Sequence, residues 1–195
     1  MSIIKTVIGL WAGYEGGIGI RNIIERHTYY NEAREYCNEV GKPMLRIGMR
    51  KYFWEPPDAD ITVDTNPEVE SIAGGICADE RNLLFVDKEF GVCINQHTLE
   101  HLNSIGDVEK AVKECVRVSD ITVLLTPSPY SIFTNVFNPN HNLRLYFDRI
   151  SNAIRVEENR CNVRSIGQAM VVKELPRIYT KGIGIVIYNE FSSLM

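Results

Sequence analysis

The segment Gln96–His101 contains two histidines and a glutamate within a few residues. His97 and His101 are spaced four apart, which on a helix places both on one face. Such a pair could provide a general base or two metal ligands. The order differs from the H-E-x-x-H zinc pattern because Glu100 is adjacent to the second histidine, and local spacing provides no third ligand. The sequence therefore predicts no metal site and leaves His97 as the candidate catalytic residue.

Short apolar runs predict the elements that would position these side chains. Five runs are interpreted as buried strands: Met44–Ile47, Asp60–Asp64, Ile72–Ala78, Gly91–Asn95 and Ile121–Thr126. Apolar residues at helical spacing predict helices over 21–40 and Asp107–Val118. This alternation predicts an α/β fold with a mostly parallel sheet and helices on both faces.

Ligands of such folds bind at the carboxyl ends of the strands. That rule places the candidate binding residues at the strand ends, which are Gly48, Asp64, Ala78-Asp79, Asn95-Gln96 and Thr126.

The two ends of the chain give weaker signals. Residues 130–150 are predicted as loop and helix, and 171–175 with 184–188 as a final antiparallel pair. The first twenty residues hold five glycines, which disfavours a long helix there. We interpret them as a surface extension, a homodimer contact or a peripheral membrane contact, since the apolar run is too short for a transmembrane segment. The predicted organisation is an N-terminal extension and helix over 1–41 and one globular domain over 42–195.

Composition narrows the class of protein. A hydrophobic fraction of 45% and a charged fraction of 24% are typical of a folded globular chain. The net charge of −4 gives no basic surface, so no nucleic-acid partner is expected. Residues 51–110 are the acidic part, with 4 Lys/Arg against 13 Asp/Glu. The five cysteines contain no C-x-x-C pair, which favours a reducing, cytoplasmic location.

One stretch resembles a known family. Residues 78–102, ADERNLLFVDKEFGVCINQHTLEHL, carry a Phe-x-Asp-x-x-Phe spacing followed by Leu99-Glu100-His101. The helix ending ECVRV, the strand ITVLLTPSP and the later NPNH extend the likeness over roughly 42–150. The stretch resembles the class I S-adenosylmethionine-dependent methyltransferases, type 11-like, and the resemblance implies a Rossmann-like fold with an antiparallel C-terminal strand.

The resemblance also implies roles for the strand-end residues. Asp64 would accept hydrogen bonds from the ribose hydroxyls of S-adenosylmethionine, and Asp79 would contact the adenine amine. Gly48, Asn95 and Gln96 would surround the methionine portion. Glu100 and His101 would be mainly structural, as this segment is in the family.

The methyl acceptor is not indicated by the sequence. It would enter over residues 127–148, where four side chains could form a lid or substrate wall: Tyr130, Phe133, His141 and Tyr146.

The sequence also departs from the family pattern. The glycine-rich loop is reduced to Gly48, with Arg46 where an acid is common and basic residues at Arg50 and Lys51. The family's Phe-Asp at the fourth strand is Phe90-Gly91.

Three interpretations therefore stay open. The first is a divergent methyltransferase. The second is an inactive methyltransferase-fold protein that acts as an interaction or regulatory module. The third is an anion pocket built on the basic residues Arg46, Arg50 and Lys51.

Overall fold

A computed structural model describes residues 2–57, 59–127, 141–148, 153–158, 169–172, 177–180 and 185–188. Its centre is a sheet whose first five strands are all parallel, in the order β3-β2-β1-β4-β5. These strands are β1 (Met44–Ile47), β2 (Ile61–Asp64), β3 (Gly75–Cys77), β4 (Phe90–Gln96) and β5 (Ser119–Leu125). The order runs outwards in both directions from β1 and β4, so the sheet is doubly wound and Rossmann-like, as the sequence predicts.

The central strands form because their apolar runs are buried on both faces. Every residue of β1 and β4 is buried, which is typical of parallel strands covered from two sides. Alternation sends Met44, Val92 and Ile94 to one face, and Leu45, Ile47 and Cys93 to the other. The five predicted strands are confirmed: β1 has the predicted bounds, and the bounds of the other four shift by at most three residues.

One face of the sheet is covered by α1 (Ser2–Val40), a helix of 39 residues. Its C-terminal part packs Tyr30, Ala33 and Cys37 against the sheet. Gly41, at φ +68°, ends the helix, because this left-handed conformation suits glycine. The prediction of a helix over 21–40 is therefore confirmed as the second half of a longer one.

The expectation that the glycine-rich N-terminus would not be helical is wrong. Glycine costs about 1 kcal/mol relative to alanine in a helix interior. The packed half of α1 supplies the nucleus, however, and extending an existing helix needs no second nucleation. Before residue 21 several large apolar side chains of the helix are exposed, among them Val7, Leu10, Trp11 and Tyr14.

The opposite face is covered by α2 (Ile105–Val118). Ser104 caps its N-terminus by accepting a hydrogen bond from the backbone N–H of Asp107. A stripe of small apolar residues then faces the sheet: Val108, Ala111, Val112, Cys115 and Val116. Helices therefore cover both faces, as predicted, and α2 begins two residues before its predicted start.

Five strands lie beyond β5: β6 (Leu143–Asp148), β7 (Ala153–Glu158), β8 (Ala169–Val172), β9 (Arg177–Thr180) and β10 (Ile185–Tyr188). The strand β8 pairs antiparallel with β5 at the edge of the central sheet. The other four form a separate antiparallel sheet in the order β6-β7-β10-β9. Leu143, Leu145 and Val156 of this sheet pack with α2 and Leu124 in one apolar cluster.

Two predictions for this region are wrong. Residues 143–148 form a strand, not a helix, because they pair with β7 over their whole length. The predicted pairing of 171–175 with 184–188 is not formed: β8 pairs with β5, and β10 lies between β7 and β9. Local sequence does not determine which distant strand completes a ladder.

Within the part of the chain that the structure describes, no helix combines the length and apolar character needed to cross a bilayer.

Candidate functional site

A cleft of about 750 Å³ opens at the carboxyl ends of the parallel strands. It lies where the strand order reverses, since Gly48 follows β1 and Gln96 ends β4. Crevices at this switch point bind ligands in doubly wound sheets, and the volume lies within the range of small-molecule sites. Four predicted residues line the cleft: Gly48, Asp64, Asp79 and Gln96. Asn95 is not among its lining residues.

Gly48 joins two walls of the cleft. Its φ is +94°, and its N–H donates to the Val63 carbonyl oxygen over 2.8 Å. A Cβ at this position would stand 2.6 Å from the Gln96 carbonyl oxygen and 2.9 Å from Thr98 Cγ2. The backbone after β1 thus approaches the end of β4 so closely that only glycine fits.

The carboxylate of Asp64 lies beside Gly48, at the end of β2. Its Oδ2 accepts a 2.7 Å hydrogen bond from the Met49 N–H, and its Oδ1 accepts one of 2.8 Å from the Asn66 N–H. Each oxygen has a further lone pair for a ligand hydroxyl. Among the described residues Asp64 forms no ion pair with Lys or Arg, so its charge is directed at the loop and the cleft.

Asp79 is held differently. The Arg81 guanidinium binds both of its oxygens, with distances of 2.5–3.0 Å, and also reaches Asp107 Oδ1 at 3.0 Å. The hydrogen bonds from Arg81 lower the pKa of Asp79 below its usual range, against the effect of partial burial. The side chain that would accept from an adenine amine is therefore already paired with a cation.

Glu80, which the sequence did not single out, lies buried behind the same wall. Its Oε2 accepts from Asn95 Nδ2 at 2.5 Å and from Thr98 Oγ1 at 2.7 Å. Burial raises the pKa of Glu80 to about 7, an effect that these hydrogen bonds oppose and that the charges of Glu100 and Asp79 reinforce. Asn95 therefore supports Glu80 from inside the sheet.

The His97 backbone has a left-handed conformation, with φ +54°. Non-glycine residues held this way cost about 1–3 kcal/mol and cluster at functional sites. The His97 Nδ1 atom lies 3.1 Å from Oε1 of the buried Glu100. Burial would raise the pKa of Glu100, but the hydrogen bond from His97 and the nearby charges of His97 and His101 outweigh it and lower that pKa. Glu100 is therefore an anion that aligns His97 at the cleft.

Gln96 leaves a polar atom unsatisfied in the cleft wall. The residue is buried, and its Oε1 has no hydrogen-bond partner among the described residues. An unpaired buried acceptor is costly, so such atoms call for a specific explanation. A ligand donor in the cleft would satisfy this oxygen.

The three basic residues in and after β1 do not converge on the cleft. Arg46 is buried and donates to the Gly48 and Pro56 carbonyl oxygens and to Glu55 Oε2. Arg50 donates to the carbonyl oxygens of Tyr52 and Phe53, within its own loop. Of the three basic residues, only Lys51 lines the cleft. The structure therefore weighs against the third interpretation of the sequence.

The proposed lid is placed only in part. His141 lines the cleft, with its ring against that of His101. Tyr130 and Phe133 lie outside the described residues, as does the side chain of Tyr146.

No family model matches this chain, and no curated protein sequence matches it. Its fold is similar to that of an S-adenosylmethionine-dependent methyltransferase from Clostridium acetobutylicum, at 14% identity and a TM-score of 0.42, over 88% of this chain and 78% of that one. A sugar N-methyltransferase from a Streptoalloteichus species gives 12% identity and a TM-score of 0.39, over 86% and 88% of the two chains. A possible histamine N-methyltransferase from Thermotoga maritima gives 14% identity and a TM-score of 0.36, over 91% of this chain and 97% of that one. Because these superpositions are loose, function has to be argued from the residues of this chain.

Sequence reasoning missed the burial of Glu80 and the contact of His141 with His101. Glu80 lies between Asp79 and Arg81 in a loop, and nothing in its local pattern predicts burial. His141 was placed in the lid and not beside His101, because forty residues separate the two. The tertiary contact of Asn142 with the Leu99–His101 turn helps to bring them together.

Proposed function

We propose that this chain binds S-adenosylmethionine in the cleft at the β1/β4 switch point and transfers its methyl group to an acceptor. The observation that carries the proposal is the pairing of Gly48 with Asp64 at adjacent strand ends. Gly48 allows the chain to turn at φ +94° against the end of β4, where any Cβ would meet the Gln96 carbonyl oxygen, and Asp64 provides a carboxylate for hydroxyl donors. A ribose with two hydroxyls fits that acceptor, and a sulfonium cation fits a cleft lined by carboxylates.

The rest of the cleft supports the same ligand. Gln96 Oε1 is a buried acceptor without a partner among the described residues, and it suits a donor such as the cofactor's amino group. Methyl transfer needs little covalent help, because the sulfonium is already a strong electrophile. The protein has mainly to align the acceptor with it. His97, aligned by Glu100, is the side chain placed to take a proton from the acceptor.

A catalytically inactive binding module is the second candidate function, and two observations favour it. Met49 and Lys51 line the cleft where the family resemblance would have glycines. Asp79 is already neutralised by Arg81. This candidate predicts that the chain binds a partner but neither holds nor turns over the cofactor.

Calorimetric titration with S-adenosylhomocysteine, the product form of the cofactor, tests the proposal. We expect saturable binding, and we expect Asp64→Asn to weaken it about 10- to 100-fold, the equivalent of a lost charge-assisted hydrogen bond of about 1.5–3 kcal/mol. The matched control is Asp87→Asn, since Asp87 is largely exposed and lies outside the cleft. Absence of heat at about 1 mM ligand would reject the methyltransferase and favour the binding module. Binding that Asp64→Asn leaves unchanged would remove Asp64 from the site.

A further inference from the structure

Three potential metal ligands converge on one wall of the cleft. Glu100, His101 and His141 each offer a ligand atom, and these atoms lie within 4.8 Å of one another. The two imidazole rings meet edge to face, with centroids 4.9 Å apart. All three residues also line the cleft. Ligands of a tetrahedral zinc ion lie about 3.3 Å apart, so small side-chain rotations would close the set.

Glu100 provides the independent sign that a cation belongs here. Its side chain is only 2% exposed, and among the described residues its Oε2 has no hydrogen-bond partner. The other oxygen, Oε1, is bound to His97 Nδ1 at 3.1 Å. Leaving one oxygen of a buried carboxylate without a hydrogen-bond partner is costly, and such an atom calls for a specific explanation. A metal ion would satisfy the free oxygen, while His97 would orient the carboxylate as an outer-shell partner.

The backbone fixes this arrangement. The Asn142 N–H donates to the Glu100 carbonyl oxygen at 2.9 Å, and Asn142 Nδ2 donates to the His101 carbonyl oxygen at 3.1 Å. These bonds hold the residue next to His141 against the Leu99–His101 turn, so two distant segments present their ligands together. These two hydrogen bonds, one from the backbone and one from the side chain of Asn142, do not involve the imidazoles themselves.

We propose that Glu100, His101 and His141 bind one divalent transition-metal ion of the zinc class. Two imidazoles and one carboxylate are a donor set that suits Zn²⁺ and its neighbours in the first transition row, and not Mg²⁺ or Ca²⁺. Three protein ligands also leave a coordination position for another molecule. Because the ligands line the cleft, that position would serve an oxygen-bearing methyl acceptor; this consequence rests on the proposed function, whereas metal binding does not.

Metal binding is measured on the full chain after treatment with a chelator, without cofactor, by titration with Zn²⁺ in a calorimeter. We expect one saturable site, weakened at least about tenfold by His141→Ala or by His101→Ala. The matched control is His27→Ala, since the His27 imidazole contacts the Trp54 carbonyl oxygen outside this cluster. Circular dichroism of each variant checks folding. Because Glu100 is buried, the variant Glu100→Gln can fail to fold, and in that case His141→Ala still tests the metal site.

Substitution with Co²⁺ separates this site from the cysteines. We expect visible ligand-field bands without a thiolate charge-transfer band, since no cysteine belongs to the set. A thiolate band, or equal Zn²⁺ affinity in wild type and in the His101→Ala/His141→Ala double variant, would overturn the proposal. Binding of S-adenosylhomocysteine is measured separately on metal-free protein, so failure of the metal site and failure of the proposed function give different results.

Discussion

The carbonyl oxygen of Gln96 lies 2.6 Å from the point that a Cβ on Gly48 would occupy. This contact joins the end of β1 to the end of β4 across the switch point of the sheet. At this point residue 48 has a left-handed backbone conformation, with a φ of +94°. Residue 48 is thus a position at which the backbone geometry requires glycine.

Substituting Gly48→Ala should therefore destabilise the protein by about 3 kcal/mol, because a left-handed alanine and a clash with backbone add together. Chemical denaturation measures this change. Gly16→Ala is the control, since nothing lies within 4 Å of its missing Cβ; it should leave the free energy of unfolding unchanged or slightly raised. Similar stability of the two variants would show that the β1 and β4 ends are farther apart than the structure has them.

The buried ion pair of Arg46 and Glu55 gives a second prediction. Arg46 Nη2 donates to Glu55 Oε2 at 2.9 Å, and the two side chains are 1% and 8% exposed. Glu55→Ala would leave a buried guanidinium without its counter-charge, so we expect a loss of about 3–5 kcal/mol in the free energy of unfolding. The double variant Arg46→Met/Glu55→Ala should lose less than the sum of the single variants. Strict additivity in denaturant titrations would contradict the pairing.

Arg46 also shows where sequence reasoning stops. Its position two residues before Gly48 suggested an anion pocket shared with Arg50 and Lys51. The strand alternation places it on the face of Met44, towards α1, where the 48–56 loop folds over it. The predicted β1 was correct because burial of an apolar run is a local signal. The partner of a buried arginine is a tertiary property, and a linear pattern does not contain it.

The candidate site divides in the same way. Its strand-end residues Gly48, Asp64, Asp79 and Gln96 could be predicted, because the carboxyl ends of parallel strands share one edge of the sheet. The burial of Glu80 and the approach of His141 to His101 could not, since both depend on how loops pack. The helical N-terminus was missed for a different reason: intrinsic propensity argued against it, and the packed half of α1 overrides that preference.

The Thr98 hydroxyl lies between two oxygen atoms, one of Glu80 and one of Asn95, and has a single proton to donate. Thr98 Oγ1 lies 2.7 Å from Glu80 Oε2 and 2.8 Å from Asn95 Oδ1. When Glu80 is ionised, both of these oxygen atoms can only accept a hydrogen bond. One hydroxyl proton can serve only one of them, whereas a proton on Glu80 would satisfy both. The geometry therefore agrees with burial, which raises the pKa of Glu80 to about 7.

The stability of the metal-free protein should consequently fall between about pH 4.5 and pH 7. In this range the unfolded chain releases the Glu80 proton while the folded chain still binds it, so folding is weakened as pH rises, by up to about 3 kcal/mol. Asp79 and Glu100 add to the effect through their negative charges. The variant Glu80→Gln should lose this fall in stability with pH and be more stable than wild type at pH 8. The control Glu70→Gln, at an exposed position, should keep the same fall as wild type. Denaturation midpoints across this pH range measure the difference, and parallel curves for wild type and Glu80→Gln would show that Glu80 is ionised throughout.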